Sequence, residues 1–170
     1  MSATAAATAP VFDQLTVGDV VAERDIELSR DALVRYAGAS GDFNPSHYRD
    51  DVAVSVGLPG VLAHGMLTMG IAGSVATDWL GSAGWVKDFQ SRFTRPVPVD
   101  AAAGATLSIT ATIGALDAEA RTARVDLKVV FDGSTVTMHR RDCPPEATDR
   151  ADRRPDGRAP GRRLQADDLP

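Results

Sequence analysis

The run Tyr36-Ala-Gly-Ala-Ser-Gly-Asp42-Phe-Asn-Pro-Ser-His47 puts a carboxylate and an imidazole five residues apart in a stretch built to turn. Gly41 admits backbone angles closed to other residues, and Pro45 pushes Asn44 towards extended geometry. Such a turn can aim Asp42 and His47 into one cleft. An imidazole with a reference pKa of ~6.5 beside a carboxylate suits proton transfer at neutral pH, and the two groups can hold one water between them. The same spacing also fits a structural role, in which Asp42 closes the turn and His47 is a satisfied packing residue. A third reading joins Asp42, His47 and His64 as a carboxylate and two histidines around a metal. Their spacing matches no compact helical or finger signature, so no metal is expected.

A second candidate is Gly60-Val-Leu-Ala-His64-Gly65-Met66-Leu67. A glycine opening a helix exposes backbone N–H groups and lets a substrate come close, which is how a carbonyl oxygen gaining negative charge can be stabilised. Gly65 is therefore a candidate oxyanion donor. The plainer alternative is a tight entry turn with His64 hydrogen-bonded beside it.

Several elements must hold these segments. Ser29 can cap a helix over Arg30 to Ala39, with Asp31 favourable in its first turn. A brief helical segment fits Asp50 to Val56, stopped by Gly57 and Pro59. Gly65 to Trp79 reads as a helix of small residues, and its interior glycines predict close packing against a curved sheet. Alternation of period two marks strands over Trp85–Thr94, Thr106–Ile113 and Arg124–Phe131, with a first strand near Val20 to Leu28. Asp132-Gly133 signals a hairpin into a further strand at Ser134 to Met138. A strand, helices and then a run of strands define an α+β fold with an antiparallel sheet.

The chain has 170 residues, 44% apolar and 24% charged, which suits one globular domain with one core. Its net charge of −5 disfavours a nucleic-acid partner, which demands clustered Lys and Arg. The single cysteine, Cys143, excludes an internal disulfide or a cysteine metal cage and points to the reducing cytoplasm. The stretch Val61–Leu80 contains His64, Asp78 and three glycines, so no membrane span is expected. Residues 1–10 read as a flexible leader without the features of a secretory signal. From His139 to Pro170 there are five prolines and eight arginines but no Val, Ile, Phe, Tyr or Trp. That composition predicts a disordered tail and a last strand cut short at Met138.

Taken together, the segment Tyr36–His47 and the following Ala63-His64-Gly65-Met66 resemble the hydratase signature of MaoC-like hot dog proteins, the (R)-specific enoyl-thioester hydratases and dehydratases. His64-Gly-Met-Leu-Thr-Met-Gly-Ile, Arg92-Phe93-Thr94 and Pro96-Val-Pro98 are similar to the catalytic B-type subunits of (3R)-hydroxyacyl-carrier-protein dehydratases of type II fatty acid synthesis. The resemblance spans residues 11–138. It implies a curved antiparallel sheet around a long central helix, a homodimer or a heterodimer with another hot dog subunit, and a thioester tunnel near the interface. It assigns catalysis to Asp42 and His47 acting through one water, and the backbone donor to Gly65, with His64 and Asn44 grouped as substrate-binding. No cofactor is implied beyond the coenzyme A or acyl carrier protein that carries the substrate.

Two other functions compete with a dehydratase or hydratase. A hot dog thioesterase would share the fold but cleave the thioester, and the Asp-x-Asn-Pro-x-His pattern argues against it. A non-catalytic subunit lending an acyl groove would have no need of the Asp42–His47 pair. Arg92 and Arg95 are candidates for meeting phosphates, although surface arginines are commonly just solvated.

Overall fold

A computed structural model describes the chain from residue 9 to residue 143. The expected leader and tail fall mostly on residues 1–8 and 144–170, outside the described residues. Strand β1 (Val20–Leu28) is followed by helix α1 (Arg30–Ser40), a 3-10 turn at Pro45–His47, the short helix α2 (Asp50–Ser55) and the long helix α3 (Gly65–Leu80). Strands β2 (Asp88–Phe93), β3 (Ala105–Asp117), β4 (Thr122–Phe131) and β5 (Ser134–Cys143) complete one antiparallel sheet, in the order β1-β3-β4-β5-β2.

The capping and turn signals take effect as their chemistry requires. Ser29 Oγ accepts from Ala32 N at 3.3 Å, opening α1. Asp132 and Gly133 have φ of 47° and 68°, and this pair of positive angles turns β4 back into β5. Along β3 the buried set is Ala105, Leu107, Ile109, Ala111 and Ile113, and along β4 it is Ala123, Val125, Leu127 and Val129. This face packs on Ala72, Val75, Ala76 and Leu80 of α3, so the helix lies across the inner surface of the sheet.

Three expectations need correction. β5 continues through His139–Cys143, paired with β4 on one side and β2 on the other, so the sheet uses residues assigned above to a tail. A ladder is made by backbone N–H and C=O groups, which Arg140, Arg141 and Asp142 carry as well as valine does. The strand expected from Trp85 pairs only from Asp88, opposite Asp142, and Trp85 is half exposed. Gly73 is buried, but nothing lies within 4 Å of where a Cβ on Gly70 would sit. Gly70 is on the outward side of α3, so only Gly73 can report close packing.

Candidate active site

Two loops separated in sequence become one unit through main-chain bonds. The first leaves α1 at Gly41, whose left-handed backbone (φ 75°) lets its N–H donate to Ala37 O at 2.9 Å. Asp42 Oδ1 then accepts from Asn44 N at 3.2 Å. Asn44 Oδ1 accepts from Ser46 N and Ser46 Oγ at 3.1 and 2.9 Å, capping the 3-10 turn that presents His47. The second loop, residues 61–64, enters α3. It is tied to the core by Ala63 N donating to Val97 O and Val99 N donating to Val61 O, both at 2.8 Å.

The two loops meet at Leu62 and His64. Leu62 N donates to Ser46 O at 3.1 Å, and Leu62 O faces His47 Nδ1 at 2.8 Å. A carbonyl can only accept, so Nδ1 of His47 carries the proton, and in the neutral ring Nε2 holds the free lone pair. His64 Nε2 lies 3.2 Å from Asp42 O, which by the same logic fixes an Nε2–H tautomer on His64. The two rings stack with centroids 3.8 Å apart at 23°, and the Tyr36 ring meets His64 edge-on at 4.9 Å. His64 is 1% exposed and its Nδ1 has no hydrogen-bond partner. Burial holds its imidazole below the usual histidine range, the Asp42 carbonyl opposes that shift, and charge on His47 reinforces it.

Asp42 is exposed and His47 half-buried, so both are open to a ligand. A small apolar pocket of about 200 Å³ lies beside His47, lined by Leu33, Val34, Ala37, Phe43 and Tyr48. Gly65 is the first residue of α3, where an N–H has no carbonyl one turn back to bond. A Cβ on Gly65 would stand 3.3 Å from the Phe93 ring. Gly65, Thr68, Phe93, Thr94 and Arg95 line a cleft of about 340 Å³. His47 thus lies at one opening and Gly65 at another, joined through the short segment that carries Leu62 and His64.

Four of the five sequence-derived site residues belong to these two loops and the fifth, Gly65, follows directly as the first residue of α3, with differing surroundings. Asp42, His47 and Gly65 face openings, whereas the amide oxygen of Asn44 is committed to the turn and His64 is enclosed. Asp42, His47 and His64 can bring one ligand atom each to within 4.8 Å of one another. His47 Nδ1 and His64 Nε2 are already engaged by main-chain carbonyls, which leaves His47 Nε2 and His64 Nδ1 as the uncommitted imidazole nitrogens.

One contributor was missed. Arg30 donates through Nε to Val99 O at 2.6 Å and through both terminal nitrogens to Asp50 at 2.9 Å, while Asp50 Oδ1 accepts from Val61 N at 3.2 Å. This staple anchors the loop that carries Leu62 and His64. Its sequence signal was a cation at the first position of a helix, against the dipole.

The family model described as MaoC like domain matches residues 12–130. An (R)-specific enoyl-CoA hydratase of Rhodospirillum rubrum is 31% identical over 118 residues, which are 65% of this chain and 79% of that protein. A solved MaoC-like dehydratase is 35% identical with a TM-score of 0.75, over 80% of this chain but 42% of the other. The chain therefore spans less than half the length of that protein. The HadBC (3R-hydroxyacyl-ACP dehydratase) complex of Mycobacterium tuberculosis matches at 18% identity and a TM-score of 0.62, over 76% of this chain and 98% of that one, a likeness of fold. The architecture is the hot dog fold. No helix among the described residues is long and apolar enough to cross a membrane.

Proposed function

The chain belongs to the MaoC-like domain family, and from that premise we propose that it is a hydro-lyase interconverting trans-2-enoyl and (3R)-hydroxyacyl thioesters. The observation that carries this reading is the 2.8 Å contact of His47 Nδ1 with Leu62 O. A carbonyl only accepts, so Nδ1 carries the proton and Nε2 is left as a base, in a ring that brings a nitrogen within 4.8 Å of the Asp42 carboxylate. In hydration, His47 Nε2 takes a proton from a water held by Asp42 while the water oxygen bonds to C3. The C2–C3 π electrons move towards the thioester carbonyl, whose developing charge meets the Gly65 N–H. A proton returned from the Asp42–His47 pair to C2 completes the addition and restores the pair. Dehydration is the reverse, with the 3-hydroxyl leaving as water. One oxyanion donor is worth about 3 kcal/mol and general acid–base assistance ~10²–10⁴-fold, so both loops are needed.

The thioester handle we infer is coenzyme A, as in the named relative from Rhodospirillum rubrum, with acyl carrier protein as the competing carrier. A second hot dog subunit is inferred along β2. Among the described residues β2 is an edge strand of the sheet, and Phe93, Trp85 and Met66 are 48, 50 and 59% exposed.

The test is to incubate the protein, alone and with candidate partner subunits, with crotonyl-CoA, a longer trans-2-enoyl-CoA and the matching carrier-protein thioesters. Loss of the conjugated absorbance without release of free thiol is expected. Thiol release would assign a thioesterase, and an unchanged spectrum under every condition would overturn the reading.

A further inference from the structure

His64 has no opening to substrate, yet it touches both members of the proton-transfer pair. Its ring face covers His47 at 3.8 Å, and its Nε2 meets the main chain of Asp42 at 3.2 Å. We propose that His64 is a positioning residue: its stacked ring sets the plane of the His47 imidazole, and its Nε2–H sets the height of Asp42. This rests on the reading of Asp42 and His47 as the reacting pair.

The geometry leaves few other ways to fix the His47 ring. The bond from Nδ1 to Leu62 O pins one atom and one direction, but a ring held at one edge can still swing about that bond. A flat partner 23° from parallel removes the swing. Tyr36 from α1, edge-on at 4.9 Å, in turn holds His64. Asparagine or glutamine could have supplied the donor to Asp42 O, and phenylalanine the flat face; histidine supplies both at once. It does so with one nitrogen, Nδ1, buried and unpartnered, a cost that a purely structural residue would avoid. The ring must also stay neutral, because two imidazolium rings face to face would repel each other. Tyr36, Asp42 and His47 are the titratable groups facing it, and burial favours the neutral form.

Two substitutions separate the two links. H64F keeps a flat face and loses the donor; H64Q keeps a donor and loses the face. For H64Q we expect kcat with crotonyl-CoA to fall by about 10²-fold, the scale of a 1 Å misplacement, with little change in KM. H64F should retain a larger share of kcat, the ring rescuing part of the loss. Nitrogen-15 spectra of the folded wild-type protein should show His64 as the neutral Nε2–H tautomer and His47 with its proton on Nδ1. In H64Q the His47 signals should move towards the average of the two tautomers.

Wild-type kcat in both folded variants would overturn the proposal, and so would an Nδ1–H tautomer on His64 in the wild type, which needs no variant to fold. D42N and H47A, assayed in parallel, separate the two failures. If they keep full activity, the proposed function itself is wrong; if they are inactive while H64Q and H64F are normal, only the positioning role is.

Discussion

The imidazole of His47 lies face to face with that of His64, 3.8 Å between centroids, while each ring spends one nitrogen on a main-chain carbonyl of the opposite loop. Two segments that are polar and turn-rich are thereby locked without a buried ion pair. The lock is made at Leu62 O and Asp42 O, so it depends on where the backbone runs.

Asp42→Asn and His47→Ala should each lower enoyl hydration by ~10²–10⁴-fold while leaving the melting temperature within a few degrees of the wild type. Because both groups act on one water, the double variant should be little worse than either single one. Turnover of crotonyl-CoA with circular dichroism melts checks this, and fully multiplicative losses would speak against a shared step.

Replacing Gly65 should act through the cleft. A Cβ there stands 3.3 Å from the Phe93 ring, and valine adds further atoms where the thioester must approach the N–H. Gly65→Val should cost about 10²-fold in kcat, the worth of one oxyanion donor. Steady-state kinetics decides, and unchanged kcat would remove Gly65 from the site.

Stability should fall on mild acidification because of His64. Its pKa is lowered in the folded protein, so the unfolded chain binds the proton first as pH drops through ~6.5. The contribution is therefore present above that pH and is lost as pH falls towards the lower folded value. Thermal melts from pH 8 to pH 5.5 should decline more steeply for the wild type than for His64→Phe, and parallel curves would contradict this.

The end of β5 gives a prediction opposite to that drawn from composition. Truncation after Met138 removes the partners of Asp88–Ser91 in β2 and of Ala123–Leu127 in β4. It should melt at least about 5 °C below a chain truncated after Cys143. Equal melting temperatures would mean that residues 139–143 add nothing to the sheet.

These contrasts mark what a sequence can carry. Ser29, Asp132-Gly133 and the alternation along β3 and β4 are local signals, and each formed the element it announced, because a cap, a turn and a buried face need only neighbouring residues. The strand beyond Met138 was illegible since its ladder is made of backbone groups that every residue but proline has. In the site, Asp42, His47 and Gly65 stood out by type and spacing. The enclosure of His64 did not, because it arises from a ring stack and a carbonyl contact across 22 residues of sequence. Arg30 was passed over for a related reason: its partners, Asp50 and Val99, are brought to it only by the fold.

The pairing of β2 with β5 also orders events during synthesis. Phe93, the wall opposite Gly65, sits opposite Thr137, so the strand that bears it waits for 44 further residues before its partner is made. At ~5–20 residues per second that is about 2–9 s on the ribosome. For that interval α3 exists without a paired strand behind Phe93, and β4 itself is complete only six residues before Thr137. The strand pair that backs the Gly65 cleft is therefore the last of the described elements to form, in the segment whose composition least advertises it.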